Sequence, residues 1–450
     1  MSFELEQVIT DVTIVFMAFF DNLFVNYEDF LLRFIPFALF LEFPLYLLMS
    51  TGVTFYLLRR YFCSRTPEEL TYLPSVSCII LCYAEKDAVK LTIRSLTEQL
   101  YDGNIELLVI MDGASQNYST YLAAKSMESY VSKYPNRKLR IIPKWQRGGR
   151  VSSMNLGLTL SQGEVVMALD GDTSFDNDMI YEATRPFSDD KVVSVAGNLR
   201  VRNINDSVVT RLQAIEYLIS IYFGKTGLSE FNVVNNISGA FGVHRRKFLE
   251  TLGGWDAGTA EDLDLTIRIK GYLGRYPDLR IVFAPRAIGH TDVPSTLQQF
   301  FDQRLRWDGD LLYLYMKKHK NRLRPGLLGW RNSVMILWTG VFFQIFMPFL
   351  IVFYTIFTAV VYPPVFFSAL MLFVYLVYLF ITIFIYLFFL FFLSERKTAD
   401  AKLIFLLPIF PLFSFAIRIW SAIASLKELV QDAHLDSSMA PWWVLKKTKF

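Results

Sequence analysis

The chain has 450 residues, 53% of them hydrophobic and only 19% charged, with a formal net charge of +3. That length exceeds one ordinary compact domain, and so apolar a composition excludes a wholly water-soluble protein. The small net charge, with no long basic run interleaved with aromatics, excludes a nucleic-acid partner.

The chain opens with the acidic stretch MSFELEQ, and no small-residue cleavage site follows a short apolar core, so no cleavable signal is expected. Residues 8–25 are apolar but carry Asp11 and Asp21, which fits either a membrane span or an interfacial helix, because carboxylates are costly in lipid. Residues 34–58 are long enough to cross about 30 Å of hydrocarbon at 1.5 Å per residue, despite Glu42 and two prolines. Arg59, Arg60 and Arg65 follow, and that positive flank places the next segment in the cytoplasm. Cys63, Cys78 and Cys82 show no paired metal spacing, so they are expected to be free thiols, two of them in or beside an apolar strand.

Within residues 70–325 short β-branched apolar runs alternate with helical patterns. The runs are 76–83, 105–111, 139–142, 165–169 and 192–195, the rhythm of a mostly parallel α/β sheet. Ligands of such sheets bind at the carboxyl ends of the strands. The first run ends at Glu85, the second at Asp112 and the fourth at Asp170-Gly171-Asp172, so three strands deliver carboxylates to one edge. A lone Asp-Gly after a strand is usually a turn; three at one edge point to a site. Asp170 and Asp172, with only glycine between them, suit a hard divalent cation, Mg2+ or Mn2+, that bridges to phosphate oxygens. The loop from Lys144 to Arg150 brings cations and two glycines where they can approach an anionic leaving group.

Further on, Ser238-Gly239-Ala240-Phe241-Gly242 is a small-residue stretch, and Ala260-Glu261-Asp262 follows a Gly-Gly-Trp-Asp turn and opens a helix over 263–270. Gln303-Arg304-Leu305-Arg306-Trp307 reads as an amphipathic interfacial helix. The four histidines show no ligand spacing. Residues 333–361 and 365–393 are long Phe-rich spans parted by Tyr362-Pro363-Pro364, and 403–423, with Pro408, Pro411 and Arg418, is a kinked span or a re-entrant element. The expected organisation is a membrane portion over 1–60, a cytosolic domain over 70–325, membrane helices over 330–425 and a short tail over 426–450.

Over 76–307 and the flanking spans, these motifs resemble the processive family 2 glycosyltransferases, the cellulose, hyaluronan and poly-N-acetylglucosamine synthases. The resemblance implies an α/β nucleotide-diphospho-sugar transferase (GT-A) domain flanked by transmembrane α-helices, set in the inner (plasma) membrane with the catalytic domain cytoplasmic. It implies an inverting, metal-dependent transfer from a UDP-sugar to a growing polysaccharide, coupled to export. Glu85 and Asp112 would then lie near the base and ribose, Asp170 on the nucleotide, and Asp170 with Asp172 on the metal. Arg150 would contact phosphate, Asp262 would be the general base, and Gln303, Arg306 and Trp307 would line the diphosphate and polymer site. Two departures stand out: the family's Thr before Glu-Asp is Ala260, and its usual Lys in the glycine-rich loop is Arg150. The short tail leaves no room for the cyclic-dinucleotide domain of bacterial cellulose synthases, so regulation is expected through a small membrane partner subunit. Two alternatives remain on sequence grounds. One is a non-processive transferase acting on a lipid acceptor, which inward-facing polar residues of the spans (Arg331, Asn332, Gln344 and Arg418 are candidates) would disfavour. The other is a non-enzymatic scaffold or receptor on a transferase fold.

Overall fold

The computed structural model describes residues 2–24, 42–62, 71–256 and 260–431. Cys63, Arg65, the first part of the 34–58 span and the tail beyond 431 lie outside the described residues.

One sheet of eight strands carries the central domain: β1 (Val76–Cys82), β2 (Ile105–Asp112), β3 (Arg137–Lys144), β4 (Val165–Asp170), β5 (Ser174–Phe175), β6 (Val192–Val201), β7 (Phe241–Arg245) and β8 (Arg280–Thr291). Their spatial order is β3-β2-β1-β4-β7-β6-β8-β5. All five expected strands are present. β1 and β2 are buried at every position, which is why they read as unbroken Val/Ile/Leu runs instead of alternating ones. The sheet is mixed where mostly parallel pairing was expected: β3, β2, β1 and β4 are parallel, but β7 runs antiparallel to both β4 and β6. β7 reaches its place after a long helical excursion, so it enters the sheet from the opposite end, and hydrophobic periodicity carries no information about that direction.

We label the helices used below as α1 (Ser2–Phe24), α2 (Phe43–Phe62), α3 (Ala88–Thr97), α4 (Gly149–Leu160), α5 (Met179–Thr184), α6 (Val208–Tyr217), α7 (Gly224–Glu230), α8 (Glu261–Arg275), α9 (Leu297–Tyr313), α10 (Trp330–Val361), α11 (Pro364–Phe392) and α12 (Phe410–Gln431). α3 and α4 pack on the parallel strands. The approach of α4 is close: a Cβ at Gly157 would stand 2.4 Å from Ile79 Cγ2.

Among the described residues, α10, α11 and α12 are long and apolar enough to cross a membrane. α10 contains a wide, π-type stretch over Ile336–Phe346. The Tyr362-Pro364 turn falls where expected. α12 begins at Phe410, so Pro411 sits in its first turn, where a missing N–H costs nothing, and Pro408 lies in the break before it. α1 lies against α11, with Phe19 and Phe373 rings 6.3 Å apart. α9 is fastened to α12: Trp420 Nε1 donates to the Phe301 carbonyl at 2.8 Å and Ser421 Oγ to Asp308 Oδ2 at 2.6 Å. Arg418 donates to the Phe343 carbonyl at 2.8 Å and lies 3.8 Å from Glu42. The central domain is anchored to the loop after α11 by the buried pair Arg200 to Asp400, 2.5 Å apart.

Candidate active site

β1, β2 and β4 end side by side, with Leu81 opposite Asp170 and Asp112 opposite Lys144 in register. Parallel strands with matched ends therefore place Glu85, Asp112, Asp170 and Asp172 along one edge. Gly171 is required there: a Cβ would meet Cys82 Sγ at 2.6 Å and the Leu81 carbonyl at 2.7 Å. A larger residue would push the Asp170-Asp172 turn away from β1.

Glu85 accepts from the Tyr83 backbone N–H at 2.6 Å. Burial pushes its carboxyl up to about 7, with Asp172 and Asp170 adding to the rise and backbone hydrogen bonds opposing it. Asp172 is likewise raised, first by burial and then by Asp170. Its carboxylate has no side-chain hydrogen-bond partner among the described residues, while its backbone carbonyl accepts from Arg202 at 2.8 Å. The Asp172 carboxylate beside Asp170 is therefore a place where added positive charge would be favourable. Among the described residues no group of three or more His, Cys, Asp or Glu side chains converges as a metal cage. A pair suffices for Mg2+ or Mn2+, which keep waters and take their remaining ligands from substrate phosphates.

Asp112 holds the glycine-rich loop. Its Oδ1 accepts from Lys144 Nζ at 2.7 Å and Gly148 N at 2.9 Å, and its Oδ2 from Gly149 N at 3.0 Å. Arg147 stacks over the Tyr83 ring at 4.6 Å. Gly149 has φ +81°, a conformation that side chains rarely adopt, and this turn aims the next residue, Arg150, across the cleft. Arg150 Nε donates to Glu261 Oε1, Nη1 donates to Asp170 Oδ1 at 2.6 Å, and Nη2 donates to the Gly239 carbonyl at 2.8 Å. The two carboxylates raise its pKa against the effect of burial. One guanidinium thus links the β4 aspartates to the start of α8.

α8 begins with Glu261, Asp262 and Asp264 in its first turn, where carboxylates are favoured by the helix dipole. Asp262 Oδ2 accepts from Asn236 Nδ2 at 3.0 Å and from Gly239 N at 3.1 Å, and Oδ1 accepts from Leu263 N at 2.7 Å. Ala260, the residue that departs from the family pattern, caps α8 in the left-handed region at φ 45°, ψ 43° with no side-chain hydrogen bond. Glu261 is raised by burial, with Asp262 adding and Arg150 opposing.

α9 brings in the remaining residues. Burial lowers the Arg306 guanidinium, which stands within electrostatic range of Asp310, Glu261, Arg150 and Asp170. Gln303 Oε1 is buried without a hydrogen-bond partner. Arg304 stacks over Trp307 at 5.0 Å and over Phe300 at 5.1 Å while donating to Glu216 Oε2 at 2.5 Å, and Trp307 as a residue is 37% exposed.

The structure therefore links Asp170, Arg150, Glu261 and Asp262 through direct contacts or shared partners, with Glu85, Asp172 and Arg306 in electrostatic reach of that chain. Asp112 instead spends both oxygens on the loop that carries Arg150. Sequence reading passed over Asn236, which orients Asp262, and Lys225, which burial lowers to about 8 against the pull of Asp262. The Asn235-Asn236 pair just before Ser238-Gly239 was a visible polar signal; Lys225, in the short helix α7, gave none. The expected structural role of the histidines holds for three: His244 pairs with Ser194, His290 with Asp176 and His319 with Asp264. Cys78 and Cys82 are buried free thiols, as expected.

Residues 77–253 match the model of glycosyl transferase family 2. The chain is 29% identical over 260 residues to the poly-beta-1,6-N-acetyl-D-glucosamine synthase of Staphylococcus aureus (strain MSSA476), a match spanning 57% of this chain and 60% of that relative. The synthase of the same name from Staphylococcus epidermidis is 29% identical over 233 residues, 52% of this chain and 53% of the relative. A solved mannosyltransferase from Pyrobaculum calidifontis, in complex with GDP-Man and Mn2+, shares the fold at a TM-score of 0.52 and 17% identity, covering 85% of this chain and 96% of that one. The GT-A-type architecture expected from the sequence is therefore the one observed.

Proposed function

We propose that this chain, with its family 2 glycosyl transferase domain at residues 77–253, is a membrane-bound synthase that transfers a sugar from a UDP-sugar to a growing polysaccharide and passes the polymer through its own helices. The observation that carries the reading is Arg150: its contacts put the donor-side carboxylate Asp170 and the start of α8, with Asp262, in one cleft. An N-acetylglucosamine polymer is favoured by the names of the similar synthases, and the location that goes with this reading is an inner membrane with the catalytic domain cytoplasmic.

In this mechanism Asp262 Oδ2 takes the proton of the acceptor hydroxyl while that oxygen bonds to the sugar's C1. The C1–O bond to the diphosphate breaks with its electron pair, releasing UDP, and the configuration inverts in one displacement. Asn236 and the Gly239 N–H hold Asp262 in register for this. Mg2+ or Mn2+ on Asp170 and Asp172 would supply the positive charge that the departing diphosphate needs. Arg306 adds fixed charge from the other side of the cleft, the unpartnered Gln303 Oε1 accepts from a sugar hydroxyl, and the exposed Trp307 face stacks on the polymer. A small membrane partner subunit would regulate the export step.

The test is purified full chain in lipid with Mg2+ or Mn2+ and each common UDP-sugar, following UDP release and high-molecular-weight product. Asp262→Asn is expected to lower turnover by about 10²–10⁴-fold with donor binding retained. Short, lipid-soluble product would replace the polymer reading with a lipid acceptor, and no UDP release from any donor would sink catalysis.

A further inference from the structure

A second recess lies away from the catalytic edge. It encloses about 490 Å³ and is lined by five arginines, Arg59, Arg60, Arg185, Arg280 and Arg286, against two carboxylates, Glu182 and Asp189. Its place in the sheet is fixed by register. Ser194 and Val166 both pair with His244, so the start of β6 is level with the start of β4, the end opposite Asp170. Val192 pairs with Arg280 at that same end.

Its place relative to the membrane follows from two helices. Glu42, just before α2, accepts from Tyr378 in mid-α11, which sets the two helices level. From Tyr378 to the end of α11 at Phe392 the rise is about 21 Å at 1.5 Å per residue, and the same rise from Glu42 ends at Tyr56. Arg59 and Arg60, in the last turn of α2, stand one helical turn farther out, at the depth of lipid headgroups. Glu395, three residues past α11, lies 3.9 Å from Arg286 and confirms that depth.

The arginines are under-used within the protein. Arg185 Nη1 is buried, lies 3.1 Å from Glu182 Oε2 and makes no hydrogen bond. Arg286 approaches Glu182 only to 3.8 Å. Among the described residues, Arg60 and Arg280 have no side-chain hydrogen bond, and Arg59 donates to Glu230 at 2.5 Å. Guanidinium forks converging on one hollow match the tetrahedral oxygens of phosphate.

We propose that this recess binds the phosphate of an anionic phospholipid headgroup and so seats the catalytic domain on the cytoplasmic leaflet. The inference rests on the chain's residence in a membrane but not on its chemistry, so UDP release by the wild type in phosphatidylcholine tests the enzyme separately. Full-length protein is to be extracted from nanodiscs of phosphatidylcholine with phosphatidylglycerol, and the lipid retained is read by native mass spectrometry. Wild type is expected to retain phosphatidylglycerol preferentially. The Arg185→Gln/Arg286→Gln variant is expected to lose retention by about fivefold per arginine removed. Arg60→Gln, at a side chain with no hydrogen bond to break, gives a second variant that keeps its fold, checked by its unfolding temperature in phosphatidylcholine. Equal retention by wild type and both variants overturns the site. Displacement of the lipid by millimolar sn-glycerol 1-phosphate, lost in the same variants, supports the phosphate site and assigns it to a soluble anion instead of a lipid.

Discussion

Arg150 and Glu85 show how charge organises the cleft at the level of single residues. Glu261 is buried and relies on Arg150, whose planar fork also reaches Asp170 and the Gly239 carbonyl. A lysine has one compact charge and cannot meet all three. Arg150→Met leaves two carboxylates without their cation and should cost about 3–5 kcal/mol, read as a lower unfolding midpoint; Arg150→Lys should fall between. Glu85, raised to about 7, holds its proton more tightly when folded than when unfolded. Stability is therefore greatest below the unfolded value near 4.5, falls as pH rises from there to about 7, and is flat above it, a loss of about 3 kcal/mol at most. Glu85→Gln should remove that slope in metal-free protein; an unchanged pH profile would show that Glu85 is ionised throughout. The carboxylates themselves were legible in the sequence because strand ends and turn residues mark them. That Asp112 would hold the Arg150 loop, and that Asn236 would orient Asp262, depended on contacts between segments 36 and 26 residues apart, which no local pattern encodes.

At the level of elements, glycines decide how closely helices approach. α8 carries two of them. A Cβ at Gly271 meets nothing within 4 Å, whereas one at Gly274 would stand 2.1 Å from the Leu327 carbonyl. Gly271→Ala should raise stability by about 0.5–1 kcal/mol through helix propensity, and Gly274→Ala should lower it by about 1–3 kcal/mol through overpacking, both by thermal unfolding. The same reasoning explains how α2 joins the catalytic domain: Gly52 and Gly227 meet backbone to backbone, and a Cβ on Gly227 would lie 2.2 Å from the Met49 carbonyl. Strands and spans were readable from composition, since a strand buried on both faces and a lipid-facing helix must each be apolar throughout. The glycine contacts were not, because sequence shows where a side chain is missing without showing what occupies the space.

For the whole molecule, the question is what couples the catalytic domain to the helices. Arg200 on β6 and Asp400 beyond α11 form a buried pair, with Ser394 Oγ also donating to Asp400 Oδ2 at 2.6 Å. Asp400→Asn strands the arginine and should cost about 3–5 kcal/mol, visible as faster proteolysis between the domain and α11 while the β1–β4 core stays protected. α9 is the other coupling, bound to α12 through Phe301 and Asp308 and carrying Arg306 within electrostatic range of Glu261 and Asp170. The amino-acid sequence by itself determined the apolar spans, the parallel strands β1–β4 and the acidic edge they carry, because periodicity, length and turn chemistry are local properties of the chain. The tertiary structure alone decided the reversed direction of β7, the reach of Arg150 from Asp170 to Glu261, and the arginine recess at the end of α2. Each joins residues far apart in sequence, and only the folded geometry sets which charges meet and which remain unpaired.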